Sequence, residues 1–219
     1  MKPKALLSWS SGKDSAFALR EVQRAGELEV VGLVTTVNQA FERVAMHAVR
    51  VELLRRQAAA TGLPLAIVEI PWPCPNGAYE AAMGGALRRA AADGISHVVF
   101  GDLFLADVRA YREAQLAPLD LTPVFPLWQR DTRTLAHEMI AAGLSARLTC
   151  VDPRVLDRSF AGRTFDTPLL ADLPPTVDPC GENGEFHTFV THAPSFAHPV
   201  EVTPGEVVER EGFVFADLR

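Results

Sequence analysis

Ser8-Trp9-Ser10-Ser11-Gly12-Lys13-Asp14-Ser15 gathers hydroxyls, a glycine, an ammonium and a carboxylate into one short stretch near the start of the chain. Small residues on a loop let several backbone N–H groups converge on one anion, and a helix beginning behind them adds partial positive charge. Phosphate is the guest such a cradle suits. The spacing is not Walker A, because no glycine stands five residues before Gly12-Lys13 and Asp14 follows where Ser or Thr would be. Nor is it G-x-G-x-x-G, since the loop has a single glycine. Asp14 could approach a Mg²⁺ ion bridging phosphate oxygens, or could cap the helix. Lys13 is one of three lysines, with Lys2 and Lys4; arginine supplies the other side-chain cations.

Two more segments carry chemistry. Gly101-Asp102, after an apolar run, would sit at a strand's carboxyl end, where Gly101 admits close approach of a ligand. Asp102 could accept from a ribose hydroxyl or hold Mg²⁺. Arg109 and Arg112, three apart on a helix, could clamp phosphate or carboxylate; the alternative is an exposed face of solvated arginines with Asp107 as N-cap. Farther on, Gly181-Glu182-Asn183-Gly184-Glu185-Phe186-His187 is a glycine-rich turn feeding a strand. Glu182, Glu185 and His187 could bind a metal or orient ammonia and a carbonyl substrate, or simply solvate a hairpin. His47 could touch adenine or be a loop histidine. Cys74, in Pro71-Trp72-Pro73-Cys74-Pro75, reads as a structural thiol in a rigid loop.

The elements that position these residues alternate. Strands are expected at Lys4–Ser8, Val30–Thr36, Leu65–Ile70 and His97–Gly101. Helices are expected at Ser15–Ala25, about His47–Thr61, Tyr79–Asp93 and Val108–Leu116, with Gly26, Gly62 and Gly94 as stops. Such alternation predicts an α/β fold, a parallel sheet with helices on both faces. After residue 125 the rhythm changes, with Pro118, Pro123 and Pro126 breaking it. A helix at Asp131–Ala142 and a strand at Ala146–Val151 follow. Beyond Asp152 the chain is loop-rich, and Glu206–Leu218 alternates like one or two antiparallel strands, so a smaller mixed α/β C-terminal subdomain is expected.

The 219 residues, 48% hydrophobic and 22% charged, suit a soluble globular protein with a sizeable core. A net charge of −6 argues against nucleic acid as the main partner. No apolar run is long enough for a membrane span, and a strand starting at Lys4 predicts no signal peptide. Cys74, Cys150 and Cys180 are odd in number and form no C-x-x-C pair, which points to a reducing cytoplasm.

Ser10-Ser11-Gly12-Lys13-Asp14-Ser15 resembles the PP-loop of the ATP pyrophosphatases, usually Ser-Gly-Gly-x-Asp-Ser. The resemblance implies cleavage of ATP to AMP and pyrophosphate, adenylating an oxygen of a second substrate. It puts Ser8, Ser10, Ser11, Gly12, Ser15, Gly101 and Asp102 around ATP, with Lys13 as counter-charge and Lys13 and Asp14 as catalytic residues. It further implies the HUP-type sheet, order 3-2-1-4-5, in which the PP-loop and Gly101-Asp102 face each other across the switch-point crevice. With Gly101–Arg109, Thr149–Asp152, Phe160–Arg163 and Gly181–Phe189, the chain resembles the diphthamide-synthase type of PP-loop ATPase. This implies an ATP-binding domain at 1–128 and an acceptor-site domain at 129–219, with ATP and Mg²⁺ as cofactors. Ammonia would amidate an adenylated carboxylate, which is diphthine in the best-known members. His187 stands where archaeal and eukaryotic members have an acid, a departure that resembles the bacterial branch. Bacteria do not make diphthamide, so the acceptor, small molecule or protein, stays open. A homodimer is within expectation. The competing reading is a non-catalytic adenine-nucleotide sensor on a HUP fold. A PP-loop tRNA thiolase is disfavoured by the missing C-x-x-C and the acidic charge.

Overall fold

The structure, a computed structural model, describes residues 1–39, 43–44 (backbone only) and 49–219. Its first sheet contains β1 (Lys4–Ser8), β2 (Glu29–Asn38), β4 (Leu65–Ile70), β5 (His97–Val99) and β6 (Thr122–Val124), all parallel in the order β4-β2-β1-β5-β6. Counted along the chain this is 3-2-1-4-5, the expected order. A two-residue β3 (Arg43–Val44) pairs antiparallel with β2. The helices between the strands are α1 (Lys13–Ala25), α2 (Val51–Thr61), α3 (Asn76–Ala92) and α4 (Ala106–Leu116). Gly26 and Gly62 adopt left-handed φ of 69° and 71° just past α1 and α2, so each stops its helix as a residue without Cβ can.

Alternation along β1 shows how the sheet is covered. Ala5 and Leu7 pack with Phe17, Leu19, Leu53 and Leu54 from α1 and α2. Leu6, between them, faces the other way, into a cluster with Met83, Leu87 and Ala90 of α3 and Leu116 of α4. A strand buried on both faces is the parallel-sheet arrangement. The fifth strand corrects the expectation that Pro123 breaks the pattern. Among the described residues β6 pairs only with β5, and a proline lacking N–H is tolerated on such an edge.

The second sheet is antiparallel, order β8-β7-β10-β9, from β7 (Ser145–Val151), β8 (Phe186–His192), β9 (Pro204–Arg210) and β10 (Phe213–Leu218). The chain between the sheets forms α5 (Thr132–Ala141), whose N-cap Asp131 accepts from the Thr134 N–H at 2.8 Å. The proline-rich stretch expected as loop holds a short α6 (Thr167–Asp172). Asp166 caps it by accepting from Leu169 N–H, and Pro168 lies in its first turn, where no intrahelical donor is needed. One continuous core runs from Ala5 and Leu7 through Ala16 and Phe17 to Leu148, Phe165, Phe186 and Leu218. Helix α1 is therefore held between the two sheets. No helix among the described residues is long and apolar enough to cross a membrane.

Leu7 is fully buried and Val155 is 48% exposed. Leu7→Ala should lower the unfolding free energy by about 2–5 kcal/mol, whereas Val155→Ala should stay within about 0.5 kcal/mol. Chemical denaturation of the two variants checks both.

Candidate active site at the junction of the two sheets

The loop after β1 begins with Trp9, whose N–H donates to the Val34 carbonyl at 2.8 Å and carries the chain off the sheet. Ser8, half-exposed, ends the strand. Ser11 then takes a left-handed φ of 70°, at the position where a glycine is usual in PP-loops. That conformation costs a residue with Cβ about 1–2 kcal/mol. The turn it makes starts α1 at Lys13. Ser10 Oγ and Ser15 Oγ lie 3.2 Å apart, and Ser15 Oγ donates to the Gly12 carbonyl at 2.9 Å. Ser11 Oγ is buried and has no hydrogen-bond partner among the described residues.

Strand β8 docks directly on this loop. The Lys13 N–H donates to Thr188 Oγ1 at 3.1 Å, and the Val190 N–H donates to the Ser11 carbonyl at 3.0 Å. Gln57, fully buried on α2, ties the joint together. Its Nε2 donates to the Ser11 and Val190 carbonyls at 3.1 and 2.6 Å, while its Oε1 accepts from Trp9 Nε1 at 3.1 Å. Thr188 and Gln57 were not singled out in the sequence. A glutamine on the inward face of α2, among Leu53, Leu54 and Ala58, was the available signal.

The Lys13 side chain crosses the junction. Its ammonium, 2% exposed as a residue, donates to the Cys180 carbonyl and to both Asp14 oxygens at 3.0 and 2.9 Å. The Phe165 and Phe186 rings lie 5.7 and 5.4 Å from Nζ. Burial alone would pull the ammonium down, but the neighbouring Asp14 and Glu182 carboxylates outweigh it and hold Lys13 above its ordinary pKa. Lys13 is thus charged and turned toward the second sheet.

The acids of the separate motifs converge on the start of α1. Gly101 lies against the first turn of α1: a Cβ there would stand 2.8 Å from the Asp14 carbonyl carbon and 2.9 Å from Ser15 N. The close approach expected of a ligand is made by the loop's own backbone. Asp102 Oδ2 is buried without a hydrogen bond among the described residues, its ion pair with Arg112 Nε being 3.7 Å long. Burial pushes the Asp102 carboxyl up, opposed by Arg112 and reinforced by Asp14. Glu182 reaches back from the second motif, Oε1 accepting from the Leu103 and Phe104 N–H groups at 2.7 and 3.4 Å. Burial pushes it up to about 7, against the Leu103 hydrogen bond and with help from Asp14.

The other expected residues are placed differently. Arg112 lies over Phe100 and Arg109 over Phe125 and Trp128, each 4.8–4.9 Å from its ring centroids. Arg109 also pairs with Glu113 at 2.7 Å. They line a row of aromatic rings, and only Arg112 reaches the crevice. Glu185 serves its own turn, Oε1 accepting from Asp178 N–H and Asn183 Nδ2 at 2.9 and 3.0 Å, with Oε2 buried and unpartnered among the described residues. His187 falls between Phe186 and Thr188, so strand alternation turns it away from the loop. His47 lies outside the described residues. Cys74, Cys150 and Cys180 are free thiols. Burial pushes Cys150 up to about 12 and Cys180 higher still, which leaves both inert as nucleophiles.

Residues 1–114 match the diphthamide synthase N-terminal domain and residues 131–217 the diphthamide synthase C-terminal domain. The chain belongs to the diphthamide synthase family. It is 36% identical over 105 residues to the diphthine–ammonia ligase of Homo sapiens, covering 46% of this chain and 39% of that protein. It is 36% identical over 87 residues to the diphthine–ammonia ligase of Schizosaccharomyces pombe, covering 38% of this chain and 14% of that protein. For the Danio rerio enzyme of that name the figures are 33% over 121 residues, 52% and 47%. The matched stretches thus span less than half of these relatives. Among solved structures, the U34-tRNA thiolase NcsA of Methanococcus maripaludis, with its [4Fe-4S] cluster, aligns at 17% identity and a TM-score of 0.39. That alignment covers 64% of this chain and 56% of that one. In this diphthamide synthase family member both family domains contribute to one junction.

Two variants test the junction. Ser11→Gly removes the left-handed strain and an unpartnered buried hydroxyl, so it should stabilise the fold by about 1 kcal/mol in thermal unfolding. Glu182, raised from 4.5 to about 7, binds its proton more tightly folded than unfolded. Its contribution is present below pH 4.5 and is lost as pH rises to about 7. Stability measured relative to Glu182→Gln should therefore fall across that window, and a flat difference would contradict the assignment.

Proposed function

We propose that this chain is an ATP-dependent ligase that adenylates a carboxylate and amidates it with ammonia. A carboxylate oxygen of the acceptor attacks the α-phosphorus of ATP and pyrophosphate leaves. Ammonia then attacks the acyl carbon, gives up a proton, and AMP leaves carrying the acceptor's oxygen. The carrying observation is that the family's two domains meet at Lys13, where the loop of the first is hydrogen-bonded to the strand of the second. The names of the diphthine–ammonia ligase relatives support the amidation, while diphthine itself is one candidate acceptor among carboxylates.

The placement of these residues supports the roles given to them here. Ser10, Gly12 and Ser15 at the start of α1 supply the phosphate-facing edge, with Ser8 and Asp102 flanking it. Lys13 neutralises Asp14 and Glu182 while Arg112 faces Asp102, so that a nucleotide polyanion can approach. Glu182, titrating near 7, is suited to take the proton that ammonia loses. Asp14 and Asp102 fit a Mg²⁺ carried in on phosphate: they are hard oxygen donors on facing segments, and Asp102 Oδ2 makes no hydrogen bond among the described residues. No group of three or more His, Cys, Asp or Glu among the described residues forms a complete metal cage, and an ion bound by one or two carboxylates plus phosphate needs none. When bound, Mg²⁺ would neutralise phosphate oxygens. A groove of ≈ 340 Å³ between the start of α5 and the 175–183 segment, lined by Thr132, Arg133, Thr176, Asp178 and Asn183, is our candidate acceptor entrance. The three free thiols suit the reducing cytoplasm in which we place the reaction.

The test is ¹⁸O transfer from labelled carboxylates, diphthine among them, with ATP, Mg²⁺ and ammonium. AMP and pyrophosphate should form together, with ¹⁸O in AMP. ADP formation, or nucleotide binding without cleavage on the whole panel, would replace this reading with a different ATPase or a sensor. Lys13→Ala should slow AMP release by about 10²-fold or more.

A further inference from the structure

We infer that Asp178 is a positioning residue, which aims the Cys180 carbonyl at Lys13 and holds Glu182 against the Leu103 N–H. The inference deepens the ligase reading and rests on it for the roles of Lys13 and Glu182. The turn at 178–182 must present both groups, yet has little of its own to fix them. Pro179 has no N–H to donate and Gly181 has no side chain to pack. Its order must come from hydrogen bonds, and three of them lead to Asp178. Oδ1 accepts from the Cys180 N–H at 2.9 Å and from the Glu182 N–H at 3.3 Å. The Asp178 carbonyl accepts from the Gly181 N–H at 2.8 Å. Three successive peptide units are tied to one residue.

The middle unit sets the direction. A trans peptide is planar, with its C=O opposed to its N–H. The Gly181 N–H points at Asp178, so the Cys180 carbonyl of the same unit points the other way, to the Lys13 ammonium. Gly181 has a left-handed φ of 69°, and a Cβ there would stand 2.8 Å from the Phe186 carbonyl oxygen, so this unit is packed against β8. The next unit carries the Glu182 N–H and fixes where that side chain starts; its Oε1 then reaches the Leu103 N–H at 2.7 Å.

Asp178 is itself held from two sides. Its Oδ2 accepts from Thr132 Oγ1, at the start of α5, at 2.6 Å. Its N–H donates to Glu185 Oε1 at 2.9 Å, and Glu185 is 5% exposed. A plain aspartate turn needs only the bond to the N–H two residues on. The added bonds to Glu182, Thr132 and Glu185 tie this turn to α5 and β8, so its two presented groups keep one placement.

Hydrogen exchange on the full chain without nucleotide tests this. Asp178→Ala should speed the Cys180, Glu182 and Val190 amides by about tenfold or more, with β1 amides unchanged. Asp178→Asn, whose Oδ1 still accepts, should keep all three within about threefold of wild type. In a Lys13→Met chain, Asp178→Ala should speed Val190 no further, because both residues act through one contact. An unchanged Val190 amide in Asp178→Ala would overturn the proposal and leave Asp178 a turn residue alone. So would an asparagine variant that behaves like the alanine one, additive effects in the Lys13→Met chain, or β1 protection lost with the rest. Asp178→Ala should also slow AMP formation by about tenfold or more, and an unaltered rate counts against the inference. A wild-type chain that forms no AMP would instead sink the ligase reading, while the exchange comparison still decides the role of Asp178.

Discussion

A buried positive charge organises this molecule. Placing the Lys13 ammonium in the interior is costly unless every donor finds an acceptor. The Cys180 carbonyl and the Asp14 carboxylate meet that demand, and the two phenylalanine rings close around it. Because Asp14 belongs to the first domain's loop and Cys180 to the second domain's turn, satisfying one side chain joins the two. Glu182 is tolerable in a half-buried crevice because that charge faces it, and Asp102 because Arg112 does.

The rest of the architecture serves this contact. Parallel strands bring the β1 loop and Gly101 to the same edge of the sheet, at the point where strand order reverses. A residue with Cβ at position 101 would strike the backbone of Asp14 and Ser15, so close packing of the crevice depends on that glycine. Helix α1 is held on one side by its own sheet and on the other by β8, and Gln57 fills the remaining corner with three hydrogen bonds. The β1–α1 loop and the turn that carries Cys180 are therefore tied to one another.

What was legible in the sequence divides along physical lines. The parallel sheet and its helices were readable because each element carries its own apolar period, and Gly26 and Gly62 mark helix ends through backbone conformation alone. β6 was not, because Pro123 is a strand breaker in general and is acceptable only on an edge, which is a property of the assembled sheet. α6 was hidden for a similar reason: Pro168 reads as a loop residue unless Asp166 is recognised as the cap before it. At the site, the loop, Asp102 and Glu182 could each be picked out by residue type. Their convergence could not, since it depends on long-range packing of β8 against α1. The same packing explains why Thr188 faces the loop while His187, one residue earlier, does not.

If Lys13 is the pin between the loop and the second sheet, hydrogen exchange in Lys13→Met reads it most directly. That side chain keeps the length and loses the charge. The account predicts that the Val190 amide, bonded to the Ser11 carbonyl, exchanges much faster in the variant, while amides in β2 and β4 keep their protection. An unchanged Val190 amide would contradict it, because the junction would then hold without the Lys13 charge.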